Sequence, residues 1–434
     1  MTPVPIGIIC LAILFILLLM RMPIAITMAF TGFIGFAWIR GLNPALGMLG
    51  TYPFHTWFSY ILSVAPLFIL MGQICYYSRI STDLYESAHT WIGHVRGGLA
   101  MATVGGCAAF AAVSGSSVAT AVTMGMVALP EMKKYKYDPG LTTGILAAGG
   151  TMGAMIPPSM GLIFYGVITE QSIGKLFLAG FIPGVLEAVF YIITIYLLCT
   201  WNPSLGPPGP RATWAKKLKS VKKTGPVFGL FLLVIGGIYL GVFSPTEAGG
   251  VGAFGAFAYA IIARKLKWND FRISLTNSAK VTGMVLLIVA GASMLNSFLA
   301  VSRLPYELGE FVGSLPMNRY VTLSIIMLFY VILGCFMDPI SMVLLTMPVF
   351  FPMIIKMEFD PIWFGILVTR VSEIGCITPP MGLNLFVIKG IAKDVEMQTI
   401  IKGVFPFIVA DILHITLLIA FPQISLFLPG LMAQ

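Results

Sequence analysis

The chain has 434 residues, of which 58% are hydrophobic and 10% are charged, and its formal net charge is +9. Soluble globular domains contain about a quarter charged residues, so this composition excludes a soluble domain. Apolar runs of about 18 residues or more recur, which is the length that a helix needs to cross a bilayer. The alternating pattern of a membrane β-barrel is absent from the sequence, so we predict an all-α integral membrane protein.

Enzyme signatures are missing from the sequence. The six cysteines are scattered without a CxxC or zinc-ligand spacing, and we interpret them as small buried thiols. The four histidines form no ligand pattern, and no Walker A, GxSxG or dinucleotide fingerprint occurs. We therefore predict no catalytic residues, no resident cofactor, no nucleic-acid partner and no ATP-driven transport by this chain alone.

The apolar runs fall into two halves of similar layout. In the first half they predict spans at 4–20, 23–39 and 60–78, a re-entrant hairpin at 99–130, a broken span at 141–168 and a span at 178–200. In the second half they predict spans at 226–243, 247–264 and 280–302, a hairpin at 320–353, a broken span at 361–388 and a final span at 403–428. The first run lacks a basic n-region and a cleavage site, so we expect it to be retained as a span.

We assign the halves to residues 1–200 and 226–434. A polar, basic segment at 201–225 joins them as a predicted cytoplasmic linker. An amphipathic stretch at 80–95 and its weaker counterpart in the second half, at 265–277, are expected to lie in the membrane interface. They are interpreted either as simple anchors or as arms that brace a fixed scaffold around a moving core.

A constant shift of 222 residues relates the turn-forming residues of the two halves. The matched positions are Pro130 with Pro352, Asp138-Pro139 with Asp360-Pro361, Gly153 with Gly375, and Pro157-Pro158 with Pro379-Pro380. Each half thus carries a Gly/Pro-rich interruption within apolar sequence at corresponding places. Such paired interruptions indicate the binding site of a secondary transporter.

Charge patterning predicts how the two halves face the membrane. Five crossings and one hairpin per half leave an odd number of crossings, so the halves are expected to form an inverted repeat. With the N-terminus outside, 20 Lys and Arg residues fall on the inner side and 5 on the outer side, with Arg370 inside a span. Both termini are therefore expected outside. Hairpins that cross fully give the same parity, so both hairpin geometries stay open.

The interruptions supply polar groups where lipid cannot satisfy them, so such backbone lines a cavity or binds a ligand. Freed carbonyls and hydroxyls suit Na⁺, whereas helix N-termini suit an anionic group. The candidates are Ser114, Ser116, Ser117, Thr120, Gly153 and Ser159 in the first half, and Gly334, Asp338, Ser372, Gly375, Thr378 and Met381 in the second. The alternative is that the proline pairs only kink helices.

Charged residues inside a membrane are costly and often functional, which makes Asp338 the strongest charged candidate. The shift places Ser116 opposite it, so the site is expected to be asymmetric. Arg370 and Glu373 lie three residues apart, and we predict that they pair with each other. Two further carboxylates in spans, Glu187 and Asp411, are open to interpretation as cation-path residues or polar packing.

The segments at 113–120, 153–159, 336–339 and 375–384 resemble the large membrane subunit of tripartite ATP-independent periplasmic (TRAP) transporters, and the resemblance covers essentially the whole chain. It implies an inverted-repeat, elevator-type fold similar to that of ion transporters, located in a bacterial inner membrane. It also implies Na⁺ as the coupling ion. The implied partners are a separate small four-helix membrane subunit and a periplasmic binding protein that delivers an organic acid.

The family pattern implies one cation at each broken helix and a substrate between them. Carried over, the cation-binding residues are Ala112, Gly153, Ile156 and Ser159 at one site and Gly334, Gly375, Thr378 and Met381 at the other. The implied substrate-binding residues are Ser114, Ser116, Ser117 and Asp338. The chain looks most like the sialic-acid (N-acetylneuraminate) branch, with C4-dicarboxylates or other carboxylates open. The competing classes are an ion channel and an intramembrane enzyme.

Overall fold

The computed structural model describes residues 3–20, 22–209, 211–314 and 317–432. Within these ranges the ordered elements are helices and no strand occurs, which confirms the predicted all-α class. Arg21, which contributes to the charge count above, lies outside the described residues. Six helices of the described chain are long and apolar enough to cross a membrane, and a seventh span results if one bent pair is counted together.

Ten helices lie in the described part of the first half. They are α1 (Pro3–Leu19), α2 (Ile24–Arg40), α3 (Leu42–Trp57), α4 (Val64–Tyr77), α5 (Ile80–Ile92), α6 (Gly98–Ser114), α7 (Ser117–Lys134), α8 (Pro139–Met155), α9 (Met160–Thr169) and α10 (Ile173–Trp201). The predicted hairpin corresponds to α6 and α7, and the predicted broken span corresponds to α8 and α9.

Ten helices also lie in the described part of the second half. They are α11 (Trp214–Tyr239), α12 (Pro245–Ile262), α13 (Trp268–Ser302), α14 (Leu304–Ser314), α15 (Arg319–Gly334), α16 (Pro339–Lys356), α17 (Pro361–Ile377), α18 (Leu383–Ile391), α19 (Met397–Ala420) and α20 (Gln423–Leu431). The second hairpin corresponds to α15 and α16, and the second broken span to α17 and α18.

The 222-residue shift holds for whole helices as well as for turn residues. It carries α8 onto the bounds of α17, and it carries α2 to within one residue of α12. The residues that start these helices are repeated too, because an Asp-Pro pair stands at the beginning of both α8 and α17. Asp138 accepts a hydrogen bond from the Leu141 N–H, and Asp360 accepts from the Ile362 and Trp363 N–H groups. Each proline occupies the first helical turn, where its missing N–H costs nothing.

Two stretches, one in each half, differ from the sequence-based prediction. No element was predicted over α3, whose glycines and prolines interrupt its apolar pattern, yet α3 forms and meets α4 at a bend of 58°. The counterpart of α5 is α14, and the pairing of α5 with residues 265–277 is wrong. Those residues belong largely to the start of α13, where helical sequence continues without a break into the 35-residue span.

Two further boundaries move for local reasons. The predicted final span divides into α19 and α20, because the chain leaves the helix at Phe421 and restarts after Pro422. The predicted linker is partly helical, since α11 begins at Trp214 and carries Lys216 to Lys223 on its first turns.

The two broken helices lie at the centre of the bundle. In the stretch formed by α8 and α9, 89% of the most apolar 18-residue window is buried inside the protein. It packs against the hairpin helices α6 and α7 and against α19, whereas α13 packs along α2 and α4 outside this core. The interruptions are therefore enclosed by protein, which is where non-helical backbone is tolerated at membrane depth.

Candidate functional site

The two hairpin turns place a capping side chain at equivalent positions. Ser116 caps α7, and its hydroxyl accepts a hydrogen bond from the Ala119 N–H at 3.4 Å. Asp338 caps α16, and its carboxylate accepts from the Ser341 N–H at 3.0 Å and from the Ser341 hydroxyl at 2.6 Å. Each turn thus presents a helix N-terminus with its positive dipole end, but only the second adds a formal charge.

The first break frees backbone carbonyls in a defined way. Pro157 and Pro158 lack the N–H groups that would bond the carbonyls of Gly153 and Ala154, four residues earlier. Ser159 partly compensates, because its hydroxyl donates to the Ala154 carbonyl. The Gly153 carbonyl therefore loses its α-helical donor at a fully buried position.

Gly153 also allows the hairpin to approach the break. A Cβ at this position would lie 2.7 Å from the Thr120 hydroxyl and would also contact the Ser116 carbonyl. That hydroxyl bonds the Ser116 carbonyl at 2.8 Å and the Ser114 hydroxyl at 2.9 Å. Several oxygens thus converge where α6, α7 and α8 meet, and oxygen ligands are what Na⁺ and other hard cations prefer.

The second break repeats this arrangement with different details. Gly334 and Gly375 pack backbone to backbone, and a Cβ on Gly334 would lie 2.9 Å from the Gly375 Cα. The Thr378 N–H donates to the Gly375 carbonyl at 3.1 Å, and its hydroxyl donates to the Ile374 carbonyl at 2.6 Å. Met381 is 46% exposed, so this break is more open than the first.

A cavity of about 660 Å³ lies between the hairpin turns and two outer helices, α4 and α13. Its polar lining residues are Gln73, Tyr76, Tyr77, Ser114, Ser116, Ser117, Thr123, Asn277, Asp338 and Glu373. Within the described part of the chain, no lysine or arginine lines it. The groups of the lining that can attract an anionic group are therefore the helix N-termini at the two hairpin turns.

The predicted site residues divide into two groups. The four substrate candidates, Ser114, Ser116, Ser117 and Asp338, line the cavity together. The eight cation candidates lie at the two breaks or on the adjoining hairpin helices, and none of them lines the cavity. They are Ala112, Gly153, Ile156, Ser159, Gly334, Gly375, Thr378 and Met381.

The sequence reasoning missed the cavity wall formed by α4 and α13. Gln73 on α4 and Asn277 on α13 line the cavity, and the Asn277 amide donates to the Tyr77 hydroxyl at 2.8 Å. A polar side chain within or beside an apolar span was the available signal. Their place opposite the hairpins depends on packing between distant parts of the chain.

The predicted ion pair between Arg370 and Glu373 is wrong. The Arg370 guanidinium instead bonds Glu187 at 2.8 Å and contacts Asp411, which lie on α10 and α19. Glu373 is buried without a hydrogen-bond partner and lines the cavity. The long arginine side chain reaches across to neighbouring helices, so sequence spacing along its own helix did not determine its partner. Glu187 and Asp411 therefore both contact Arg370, and neither lines the cavity.

Paired hairpins and broken helices around a central cavity are the architecture of a secondary transporter. A solved structure supports this fold. The YdaH transporter of Alcanivorax borkumensis has a TM-score of 0.61, covers 88% of this chain and 90% of its own, and is 14% identical in sequence.

The family model described as "Tripartite ATP-independent periplasmic transporter, DctM component" matches residues 11–424. The chain belongs to this family and is a TRAP transporter large permease, which confirms the resemblance seen in the sequence.

Curated relatives differ in the solute that they are named for. The C4-dicarboxylate large permease of Pseudomonas aeruginosa is 34% identical, with 87% of this chain and 88% of that protein covered. The ectoine large permease of Halomonas elongata is 33% identical, with 96% and 97% covered. The sialic acid large permease of Vibrio cholerae is 30% identical, with 86% and 87% covered.

Proposed function

We propose that this permease imports a small organic acid by symport with Na⁺. The observation that carries the proposal is the placement of two capped hairpin turns and two helix breaks around one cavity of about 660 Å³. Helix N-termini at Ser116 and Asp338 are suited to hold the solute, and carbonyls at the breaks are suited to hold the ion. One pair of interruptions then serves both species of a coupled reaction.

The Na⁺ ions are assigned to the two breaks, one at each. At the first, Gly153 offers a carbonyl without a helical donor, beside the converging oxygens of Ser116 and Thr120. At the second, Gly334 and Gly375 bring two backbones into contact beside Thr378. Because both sites lie directly behind the hairpin turns, an ion bound there would fix the turn that contacts the solute. This arrangement supports coupling without direct contact between the two ligands.

The proposed working unit is an assembly in a bacterial inner membrane. The relatives are named as large permeases, which fits a separate small four-helix membrane subunit as partner. A periplasmic binding protein would deliver the solute, and both termini would face the periplasm. The hairpins and broken helices would move together against the outer helices, as in an elevator mechanism.

The substrate class proposed is a solute with a carboxylate. N-acetylneuraminate is the first candidate from sequence resemblance, and C4-dicarboxylates are the alternative. The relatives named for C4-dicarboxylate, ectoine and sialic acid are similarly distant, at 34%, 33% and 30% identity. A panel of labelled solutes is therefore the appropriate test.

The experiment is uptake into proteoliposomes that contain this chain and its small subunit, with the cognate binding protein outside. We expect a carboxylate solute to accumulate against its gradient when Na⁺ is present outside, and uptake to cease when choline replaces Na⁺. Uptake that is unchanged in choline would contradict Na⁺ coupling. Passive flux with single-channel currents would contradict the transporter mechanism itself.

A further inference from the structure

A second polar cluster lies behind the cavity, buried among α8, α10, α17 and α19. At its centre the Arg370 guanidinium donates through one terminal nitrogen to Glu187 Oε1 at 2.8 Å, and its other terminal nitrogen bonds Asp411 Oδ1. Arg370 Nε donates to His414 Nδ1 at 3.2 Å. All four residues have 0% relative exposure. We call these four side chains the Arg370 cluster.

The formal charges in the Arg370 cluster do not cancel. His414 accepts a hydrogen bond at Nδ1 from a cation, so that nitrogen carries no proton and the imidazole is neutral. Arg370 supplies one positive charge, whereas ionised Glu187 and Asp411 supply two negative charges. One negative charge would remain in a fully enclosed region, and an uncompensated buried charge is strongly unfavourable.

The carboxyl groups also have unused hydrogen-bonding capacity. Glu187 Oε2 and Asp411 Oδ2 are both buried without a partner. Two carboxylates that share one site, with a single cation between them, favour retention of a proton by one of them. A proton on either oxygen would remove the surplus charge and add one donor to the cluster.

The remaining groups beside the cluster do not supply the missing positive charge. From α10, the Tyr191 hydroxyl lies 3.3 Å from an Arg370 nitrogen, and from α8 the Thr151 hydroxyl donates to Glu187 at 2.8 Å. One turn further along α17, Glu373 adds another carboxyl group on the side of the cavity. Tyrosine and threonine are neutral, and a further carboxyl can only increase the negative charge.

We propose that the Arg370 cluster is a proton-binding site, in which Glu187 and Asp411 together hold one proton taken up from water. The cluster joins the two halves of the chain, because Glu187 and Thr151 come from the first half and Arg370, Asp411 and His414 from the second. The bound proton neutralises this junction. It stabilises the contact between the two broken helices α8 and α17 that carry the candidate ion sites.

Substitutions in the Arg370 cluster should change the number of bound protons in a defined way. Glu187→Gln or Asp411→Asn leaves one carboxylate facing one guanidinium, so the charges cancel without a proton. Either single substitution should therefore abolish the bound proton, whichever carboxyl carries it in the wild type. Arg370→Gln removes the cation, so both carboxyls should become protonated and the proton count should double.

The experiment is infrared spectroscopy of the full chain in lipid nanodiscs, which detects the carbonyl stretch of a protonated carboxyl group. The spectra are recorded in a Glu373→Gln background, because Glu373 is a second buried carboxyl group without a hydrogen-bond partner. In this background we expect a buried carboxylic acid band that is absent when Glu187→Gln or Asp411→Asn is added. In Arg370→Gln this band should be about twice as strong. Asp394→Asn is the matched control, since Asp394 is exposed and paired with Lys133, and it should leave the band unchanged.

Thermal unfolding of the same samples provides a second readout. A site that holds a proton only in the folded protein makes stability fall as pH rises, because the folded state then binds more protons than the unfolded state. The wild-type Tm should fall from about pH 6 to about pH 9, and both single variants should show a smaller slope. A carboxylic acid band of the Glu373→Gln background that persists after both Glu187→Gln and Asp411→Asn, or wild-type slopes in both single variants, would overturn the proposal.

Discussion

At the residue scale, the two hairpin turns differ by one charge at equivalent positions. Ser116 and Asp338 cap their helices in the same way, so the helix ends are equally well formed. The carboxylate adds a group that accepts hydrogen bonds strongly and repels a bare anion. A solute bound between the turns therefore contacts a neutral serine at one end and a carboxylate at the other. The solute can then bind in one preferred orientation, which two identical turns would not provide.

Asp338→Asn isolates the charge from the cap, because asparagine caps a helix about as well as aspartate. We expect uptake to fall about 10- to 100-fold, which corresponds to about 1.5–3 kcal/mol for hydrogen bonds to a charged group, with an unchanged Tm. Uptake assays and thermal unfolding measure the two effects. Uptake at the wild-type rate would remove Asp338 from the site.

Asp394→Asn is the control for this substitution. Asp394 is also a carboxylate, but it is exposed, and its hydrogen bonds with Lys133 lower the pKa of the Asp394 carboxyl below its ordinary value. Asp394 is not among the residues that line the cavity. We expect this variant to transport at the wild-type rate.

Gly375→Ala should disturb the second break directly. The added Cβ would meet the Gly334 backbone, with the Gly334 carbonyl carbon 2.8 Å away. Overpacking of this kind costs about 1–3 kcal/mol, so we expect a lower Tm and reduced uptake. Gly229→Ala on α11 is the matched control, because its Cβ meets open space and alanine favours a helix by about 1 kcal/mol. Equal Tm values for the two variants would contradict the close packing.

At the element scale, the sequence predicted those helices whose signals are local. The bounds of α8 and α17 follow from Asp-Pro caps at the start and Pro-Pro pairs at the end. It missed α3, because Pro44 and Pro53 read as turn signals although the chain accommodates both within one helix. It also misassigned the partner of Arg370, since three-dimensional packing sets which helix that side chain reaches. Whether the proposed cation residues bind an ion stays a prediction.

Ion pairs between side chains hold the amphipathic helix α5 against the second half. Asp83 pairs with Lys265 and lies 3.9 Å from Lys223, and its side chain is only 14% exposed. We expect Asp83→Asn to lower the free energy of unfolding by about 1 kcal/mol, measured by chemical or thermal unfolding. Added salt should lower the free energy of unfolding of the wild type more than that of the variant, because salt screens the Asp83 ion pairs that the variant lacks.

Glu86→Gln is the matched control on the same helix. Glu86 contacts Lys223 at 3.3 Å, but its side chain is 57% exposed, so solvent already screens the pair. We expect almost no change in unfolding. A larger loss for Glu86→Gln than for Asp83→Asn would show that α5 is held in another way.

At the scale of the whole molecule, the repeat extends through most of the chain, from α2 and α12 to α10 and α19. The inverted orientation predicts that α14 faces the periplasm and that the start of α11 faces the cytoplasm. Exposed positions Glu307 and Lys219 lie on these two helices. In cells with a permeabilised outer membrane, a membrane-impermeant thiol reagent should label Glu307→Cys and spare Lys219→Cys until the inner membrane is opened.

The native cysteines provide the background for that experiment. All six are free and buried, so the unsubstituted protein should remain unlabelled. Labelling of Lys219→Cys before Glu307→Cys would reverse the proposed orientation. Labelling of both in intact inner membranes would contradict the three predicted crossings between these positions, because it would place both helices on one side.

The bend between α3 and α4 gives the two repeats unequal mechanics. In the second repeat the same stretch is the uninterrupted α13, whose 35 residues span about 50 Å, well beyond a bilayer core of about 30 Å. The cavity wall opposite the hairpin turns therefore combines the uninterrupted helix α13 with α4, which meets α3 at a bend of 58°. Displacement of the central helices would therefore change the angle between α3 and α4 before it bent α13, so the two repeats would respond unequally to the same movement.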